Sequence, residues 1–292
     1  MLQDVREMQK DSNPAPPQEK EDPPGFDDLN MGAYNLSEDD AKRITKEFDQ
    51  LRFEVRRKGL LDGETPFFAQ KILECLMIIG LAVILQIKGY YIPSALCMGL
   101  AWQQLGWMIH EYCHHQHFKN RFWNDIVSYF VGNLLQGFSS GGWKEQHNRH
   151  HAATNVVGRD GDLDLLPFWA TVASDLKLLE GNWMVFQMIP YQHIYWSFAL
   201  PFLRISWLIQ SILFVSKMDS HFFEIHRKRA RIEQVTLSIH WALVLLQLYF
   251  LPTFQVRVTY FLVSQLFGGF LLAHVVTYNH YSTDKFASKF QF

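Results

Sequence analysis

The sequence predicts an all-α integral membrane protein, with two transmembrane helical hairpins, about four spans, under a cytosolic helical cap that carries clusters of histidine. Three observations predict this class. Four long apolar stretches fall into two pairs, each pair joined by a short turn. Aromatic residues make up 15% of the 292, with 24 Phe and 9 Trp, as expected where rings collect at membrane-water interfaces. Basic residues crowd into one set of connections and avoid the other. A mean hydropathy of −0.08 averages a polar head with an apolar body. The 48% hydrophobic content permits a sizeable core, and a net charge of −2 gives no electrostatic case for nucleic acid. Cys75, Cys97 and Cys113 are the only cysteines and form no Cys-x-x-Cys pair, which argues against a disulfide framework or a cysteine-based zinc site. Met1 to Val5 lack the basic and apolar regions of a secretory signal, so membrane entry falls to internal segments.

Residues 1–36 are acidic and punctuated by proline, which predicts a disordered or extended linker. Residues 37–66 hold an amphipathic helix and its connection. Ser37 followed by Asp40 resembles a capping box, Ile44, Phe48, Leu51 and Val55 recur at helical spacing, and Gly59 supplies a stop. We expect this helix to pack on the body of the protein, the alternative being a membrane-surface or partner helix. Residues 67–292 form the membrane domain. Ile72 to Ile87 and Tyr90 to Ile109 each approach the ~20 residues needed to cross a bilayer and are joined by Lys88-Gly89. An aromatic amphipathic stretch follows from Phe122 to Phe138, then a glycine-rich break at Ser139-Ser140-Gly141-Gly142. Residues 186–215 are apolar but interrupted by Pro190, His193, Pro201 and Arg204, which predicts interfacial or partly inserted helices. After the basic patch of Arg227, Lys228, Arg229 and Arg231, Val235 to Leu251 and Tyr260 to Val276 make the second hairpin.

By the positive-inside rule, basic residues at 42–58, 217–231 and the end place the termini and the long middle segment in the cytosol. That topology, argued without the histidines, gathers them at one membrane face. His110, His114 and His115 stand at the exit of the second span, His147, His150 and His151 lie in the middle segment, and His280 follows the last span. Helical spacing turns each set into a fan of imidazoles, a metal-binding arrangement suited to iron, zinc, copper or nickel. The run Arg159-Asp160-Gly161-Asp162-Leu163-Asp164 hints at a calcium loop, but Thr171 stands where an EF-hand needs its closing Glu, so we expect a polar turn near the metal site. A lone intramembrane histidine such as His240 is expected to be a hydrogen-bonded packing residue.

His-x-x-x-His-His and His-x-x-His-His at the ends of two hairpins resemble the first two histidine boxes of the membrane fatty acyl desaturases. Trp102-Gln103-Gln104-Leu105-Gly106-Trp107, Gln136-Gly137-Phe138-Ser139, His150-His151-Ala152-Ala153-Thr154-Asn155 and Val275-Val276-Thr277-Tyr278-Asn279-His280 resemble the front-end members of delta-5/delta-6 type. The resemblance runs from about residue 35 to the end. It implies an oxidoreductase of unsaturated fatty acid biosynthesis in the endoplasmic reticulum membrane. Two non-haem iron ions and O2, with electrons from NADH through cytochrome b5 and its reductase, would insert a cis double bond into a fatty acyl-CoA or acyl-phospholipid among membrane lipids. The ligands it implies are His110, His114, His147, His150 and His151, with His115 second and His280 a further ligand. Asp162, His274 and Asn279 are implied as their supports. Against the family pattern, the chain shows neither the N-terminal cytochrome b5 motif His-Pro-Gly-Gly nor a third box, Gln-x-x-His-His. The expectation from this is a C-terminally incomplete domain with incomplete iron binding and impaired activity. The alternatives are a non-catalytic desaturase fragment or partner, a membrane fatty acyl hydroxylase of the same superfamily, and a histidine-bound haem protein.

Overall fold

In the computed structural model, residues 37–157, 159–162, 168–171, 175–176, 181, 183–218, 227–283 and 285 are described, and every regular element among them is helical. The predicted linker at 1–36, Leu163 and Asp164 lie outside the described residues. Helix α1 (Glu38–Arg57) starts as its sequence dictates, Ser37 Oγ accepting from the Asp40 amide at 3.1 Å, and ends before Gly59, whose φ of 68° is left-handed. One expectation fails here: α1 buries no residue, so its apolar face is not packed on the body.

Helices α2 (Thr65–Ile87) and α3 (Tyr91–Cys113) form the first hairpin around Gly89. The former buries only Phe68, Cys75 and Ala82, leaving Leu73, Met77, Leu81 and Ile84 on the face that lipid would cover. The latter is the central column, with thirteen of its residues buried from Ser94 to Cys113. Helix α4 (Arg121–Ser128) runs on into a π-helix over Tyr129–Gln136, a widening that no sequence pattern signals. The carbonyls near its end are taken by side chains: Trp102 Nε1 donates to Leu135 O at 3.2 Å and His240 Nδ1 to Leu134 O at 2.9 Å, the packing role expected of His240. Gly137 ends the π-helix at φ 85°. Instead of a break, Ser139 caps helix α5 (Ser140–Ala152), so the glycines open a helix.

Beyond α6 (Trp183–Met188), the expected interfacial pieces join into a nearly continuous rod: α7 (Gln192–Ala199) and α8 (Leu203–Lys217), each entered through a 3₁₀ turn. Pro190 and Pro201 sit at the first positions of those turns, where a missing N–H is tolerated, so they bend the chain without ending it. The charge of Arg204 is accommodated inside, its guanidinium 4.3 Å from the Trp102 ring and bonded to Gln265 and the Gln136 carbonyl. Helices α9 (Ala230–Tyr249) and α10 (Phe254–Tyr281) make the second hairpin, closed by Arg257 on the carbonyls of Leu251 and Tyr249. Among the described residues, three segments, 65–87, 189–217 and 254–281, are long and apolar enough to cross a membrane. The helices that carry the other two expected spans, α3 and α9, fall short of that measure because they hold polar residues, among them the buried Gln103, Glu233 and His240.

The rod meets α10 at Gly269, where an added Cβ would lie 1.9 Å from the Pro201 carbonyl oxygen, a backbone atom that cannot swing aside. Gly269→Ala should therefore cost about 3 kcal/mol by overpacking. Gly80→Ala, with nothing within 4 Å, should leave stability unchanged or slightly raised. Thermal unfolding of the detergent-solubilised variants checks this; equal midpoints for the two would refute the contact.

Candidate metal centre

The centre is built where α3 leaves the apolar body and α5 crosses its end. A separation of four residues in each helix puts His110 over His114 and His147 over His151, and the two pairs face each other. All four offer a ring nitrogen within 4.8 Å of the others. His147 Nε2 and His151 Nε2 are 3.0 Å apart, and the buried His114 Nε2 has no hydrogen-bond partner. Trp143 closes the cluster on one side, its ring 4.1 Å from that of His147.

Electrostatics favour neutral imidazoles. Burial, reinforced by the neighbouring histidines, lowers His114 to about 4, and burial likewise lowers His147 and His151, so their lone pairs are free near pH 7. Carboxylates aim the rings from behind. His110 Nδ1 donates to Glu111 at 2.9 Å, which keeps that carboxyl below its usual range. His150 Nδ1 lies 2.9 Å from both oxygens of Asp160, itself wholly buried. Burial alone would raise Asp160, but the His150 ring and the amides of Asn155 and Asp162 outweigh it and hold it low; the same bond raises His150. His150, Asp160 and Asp162 form a second set of converging ligand atoms, and the His280 ring stands edge-on to His150 at 4.4 Å. An all-imidazole set with an orphaned buried nitrogen and carboxylate supports fits a divalent transition metal.

Two of the sequence-predicted residues stand apart. α3 ends at Cys113 with His114 as its cap, and His115, at φ 59°, is turned off the helix. Its Nε2 lies 3.1 Å from both Asp125 and Lys144, while Arg229 also pairs with Asp125. His115 thus belongs to a charged knot tying α3, α4, α5 and α9. His274 bonds back to the Phe270 carbonyl of its own helix, between the rings of Phe270 and Tyr278. Asp162 does reach the site, 3.7 Å from the Nδ1 atoms of His147 and His150. Asn279 lines, with His110, His147, His280, Trp207 and Leu272, a cavity of about 580 Å³ beside the cluster. Glu111 and Asp160 join the site without standing among the sequence-predicted residues; the carboxylate beside His110 in the first box is the sequence sign of one, and the Asp-Gly-Asp turn of the other.

Residues 90–291 match the fatty acid desaturase family model. The chain is 59% identical to a delta(5) fatty acid desaturase of Caenorhabditis elegans over 94% of its length and 62% of the relative's. It is 44% identical to a delta(6) fatty acid desaturase of the same worm over 89% of its length and 59% of the relative's. Identity to a delta(8) fatty acid desaturase of Euglena gracilis is 36%, over 90% and 61% of the two chains. It therefore spans about three fifths of the length of the curated relatives it matches. No solved structure matches it. With the match covering both histidine pairs, the cavity beside them and the last helix, this helical membrane protein belongs to the fatty acid desaturase family.

Proposed function

We propose that the chain is a front-end fatty acyl desaturase of delta-5/delta-6 type, inserting a cis double bond between an existing one and the carboxyl end of a polyunsaturated chain. The observation that carries this reading is the convergence of His110, His114, His147 and His151 beside a cavity walled by aromatic and aliphatic side chains. These four would hold one iron, and His150 with His280 would border the second. When bound, a pair of non-haem irons supplies the oxidising power to break unactivated C–H bonds with O2. Two hydrogens leave the acyl chain, two electrons arrive from NADH by way of cytochrome b5 and its reductase, and two protons come from NADH oxidation and solvent, so that O2 departs as two waters. The protein's own part is positioning: Glu111 and Asp160 fix the tautomers of His110 and His150, and Trp207, Phe214 and Leu272 exclude water from the chain's path. Arg149 and Arg159 line the same cavity and suit the phosphates shared by coenzyme A and phospholipid carriers. We place the enzyme in the endoplasmic reticulum membrane with the histidines on the cytosolic side, residues 67–292 forming the desaturase domain and 37–66 a helical arm.

In yeast supplied with a polyunsaturated fatty acid, any new product should be lighter by two hydrogens, its new bond on the carboxyl side of the existing ones. A product heavier by one oxygen would make the protein a hydroxylase instead, and no product from a protein that retains two irons would sink the desaturase reading.

A further inference from the structure

Helix α1 carries Ile44, Phe48, Leu51 and Val55 along one face, yet none of its residues is buried, and Phe48 and Leu51 are each 57% exposed. Covering a large apolar side chain is worth about 1.5–3 kcal/mol, and a lone helix of this length is marginal in water. Some surface must take this face.

Three observations identify that surface as lipid. The first is position. Asp62 pairs with Lys119 at 3.3 Å, and Thr65, the first residue of α2, bonds to His117 at 3.1 Å. The end of α1 is thereby pinned beside the segment that follows His114, where α2 enters the apolar layer. The connection from Lys58 to Glu64 is short, reaching at most ~25 Å even when extended, so α1 cannot stand far from the membrane plane. The second is charge. Glu38, Asp39 and Asp40 occupy the far end of the helix, whereas Arg52, Arg56, Arg57 and Lys58 crowd the end next to α2. By helical spacing Arg52 borders the apolar face, where a long cationic side chain can reach headgroups while its stem stays apolar. The third is continuity. Leu60 and Leu61 in the connection and Phe67 on α2 are exposed, and they run the apolar surface of α1 into the lipid-facing flank formed by Leu73 and Met77.

We infer that α1 is an interfacial helix, with Ile44, Phe48, Leu51 and Val55 set into the boundary between headgroups and acyl chains and Arg52, Arg56, Arg57 and Lys58 on anionic headgroups. This contact steadies the entry of α2 beside the first histidine pair. It follows from the membrane topology alone and holds whatever reaction the site performs.

The test uses the full chain in vesicles of phosphatidylcholine and phosphatidylserine, with a nitroxide attached through single cysteines at 46, 48, 50 and 51 in a Cys97→Ser background. These positions are exposed, so the substitutions do not threaten folding. At 48 and 51, collisions with oxygen should exceed those with a water-soluble nickel chelate several-fold, and at 46 and 50 the order should reverse. Omitting phosphatidylserine should lower the ratio at 48 and 51 several-fold. Nickel dominance at all four positions would put the helix in water and overturn the inference. Protection from both reagents at 48 and 51 would mean a protein cover, a second copy or a partner, and would overturn it equally. A ratio indifferent to phosphatidylserine would remove the headgroup half.

Discussion

Asp160→Asn is expected to weaken metal binding about ten- to hundredfold, the usual penalty for losing the carboxylate behind a ligating histidine. The carboxylate accepts on both oxygens: His150 Nδ1 reaches each at 2.9 Å, the Asp162 amide donates to one at 3.0 Å and the Asn155 amide to the other at 2.8 Å. An asparagine can turn its carbonyl toward only one of those amides. Its NH₂ then opposes the other N–H donor inside a fully buried site, and the ring of His150 loses the charge that fixed its proton on Nδ1. His150 swings, and the turn from Asn155 to Asp162 loosens with it. Titration of the stripped protein with ferrous iron, followed by metal analysis, reads the effect. Asp162→Asn is the comparison, because its oxygen lies 3.7 Å from the same ring and should matter less. Unchanged affinity in Asp160→Asn would show that Asp160 serves the fold and leaves the metal site untouched.

Hydrophobic periodicity and charge bias located the hairpins, and i, i+4 spacing located the four histidines that converge, since both are local properties of a helix. Nothing local distinguishes two carboxylates in one Asp-Gly-Asp turn. Which is buried depends on the backbone of Asn155, at φ 59°, and on how α10 packs over the turn through His280 and Thr283. The same reason explains His115. Its spacing from His110 and His114 is that of a ligand until α3 stops at Cys113, and helix ends are the least legible feature of a sequence. The rod from Ile189 to Lys217 is hidden in another way: Pro190, Pro201 and Arg204 read as breakers, yet the prolines open 3₁₀ turns and the partners of Arg204 lie on α3, the π-helix and α10. For α1 the apolar face is legible in the sequence and its cover is not, because amphipathicity shows that a face seeks burial without saying what will bury it.

Glu233→Leu should be the most damaging single change outside the histidines. This side chain on α9, wholly buried, accepts from Ser139 Oγ at 2.6 Å, from Asn133 Nδ2 at 3.1 Å and from the Gly141 amide at 3.0 Å. Ser139 is the cap of α5, Gly141 lies in its first turn, and that turn has no acidic residue of its own. Glu233 thus supplies, from 92 residues away, the negative charge that a helix N-terminus favours. Leucine would strand three buried donors at about 1–3 kcal/mol each, a sum comparable with a typical net stability of about 5–15 kcal/mol. Glu233→Gln keeps the shape and the acceptor for Ser139 and Asn133 but opposes the Gly141 amide with its own N–H. It should fold, with the start of α5 frayed. Because His147, His150 and His151 ride on that helix, their register over His110 and His114 is set at its anchored end. The glutamine variant should therefore lose metal affinity by more than its fall in melting temperature suggests, and the leucine variant should fail to accumulate as folded protein. Thermal unfolding in detergent together with iron content separates the two effects. A leucine variant that melts with the parent would show that the buried carboxylate does not hold α5 in place.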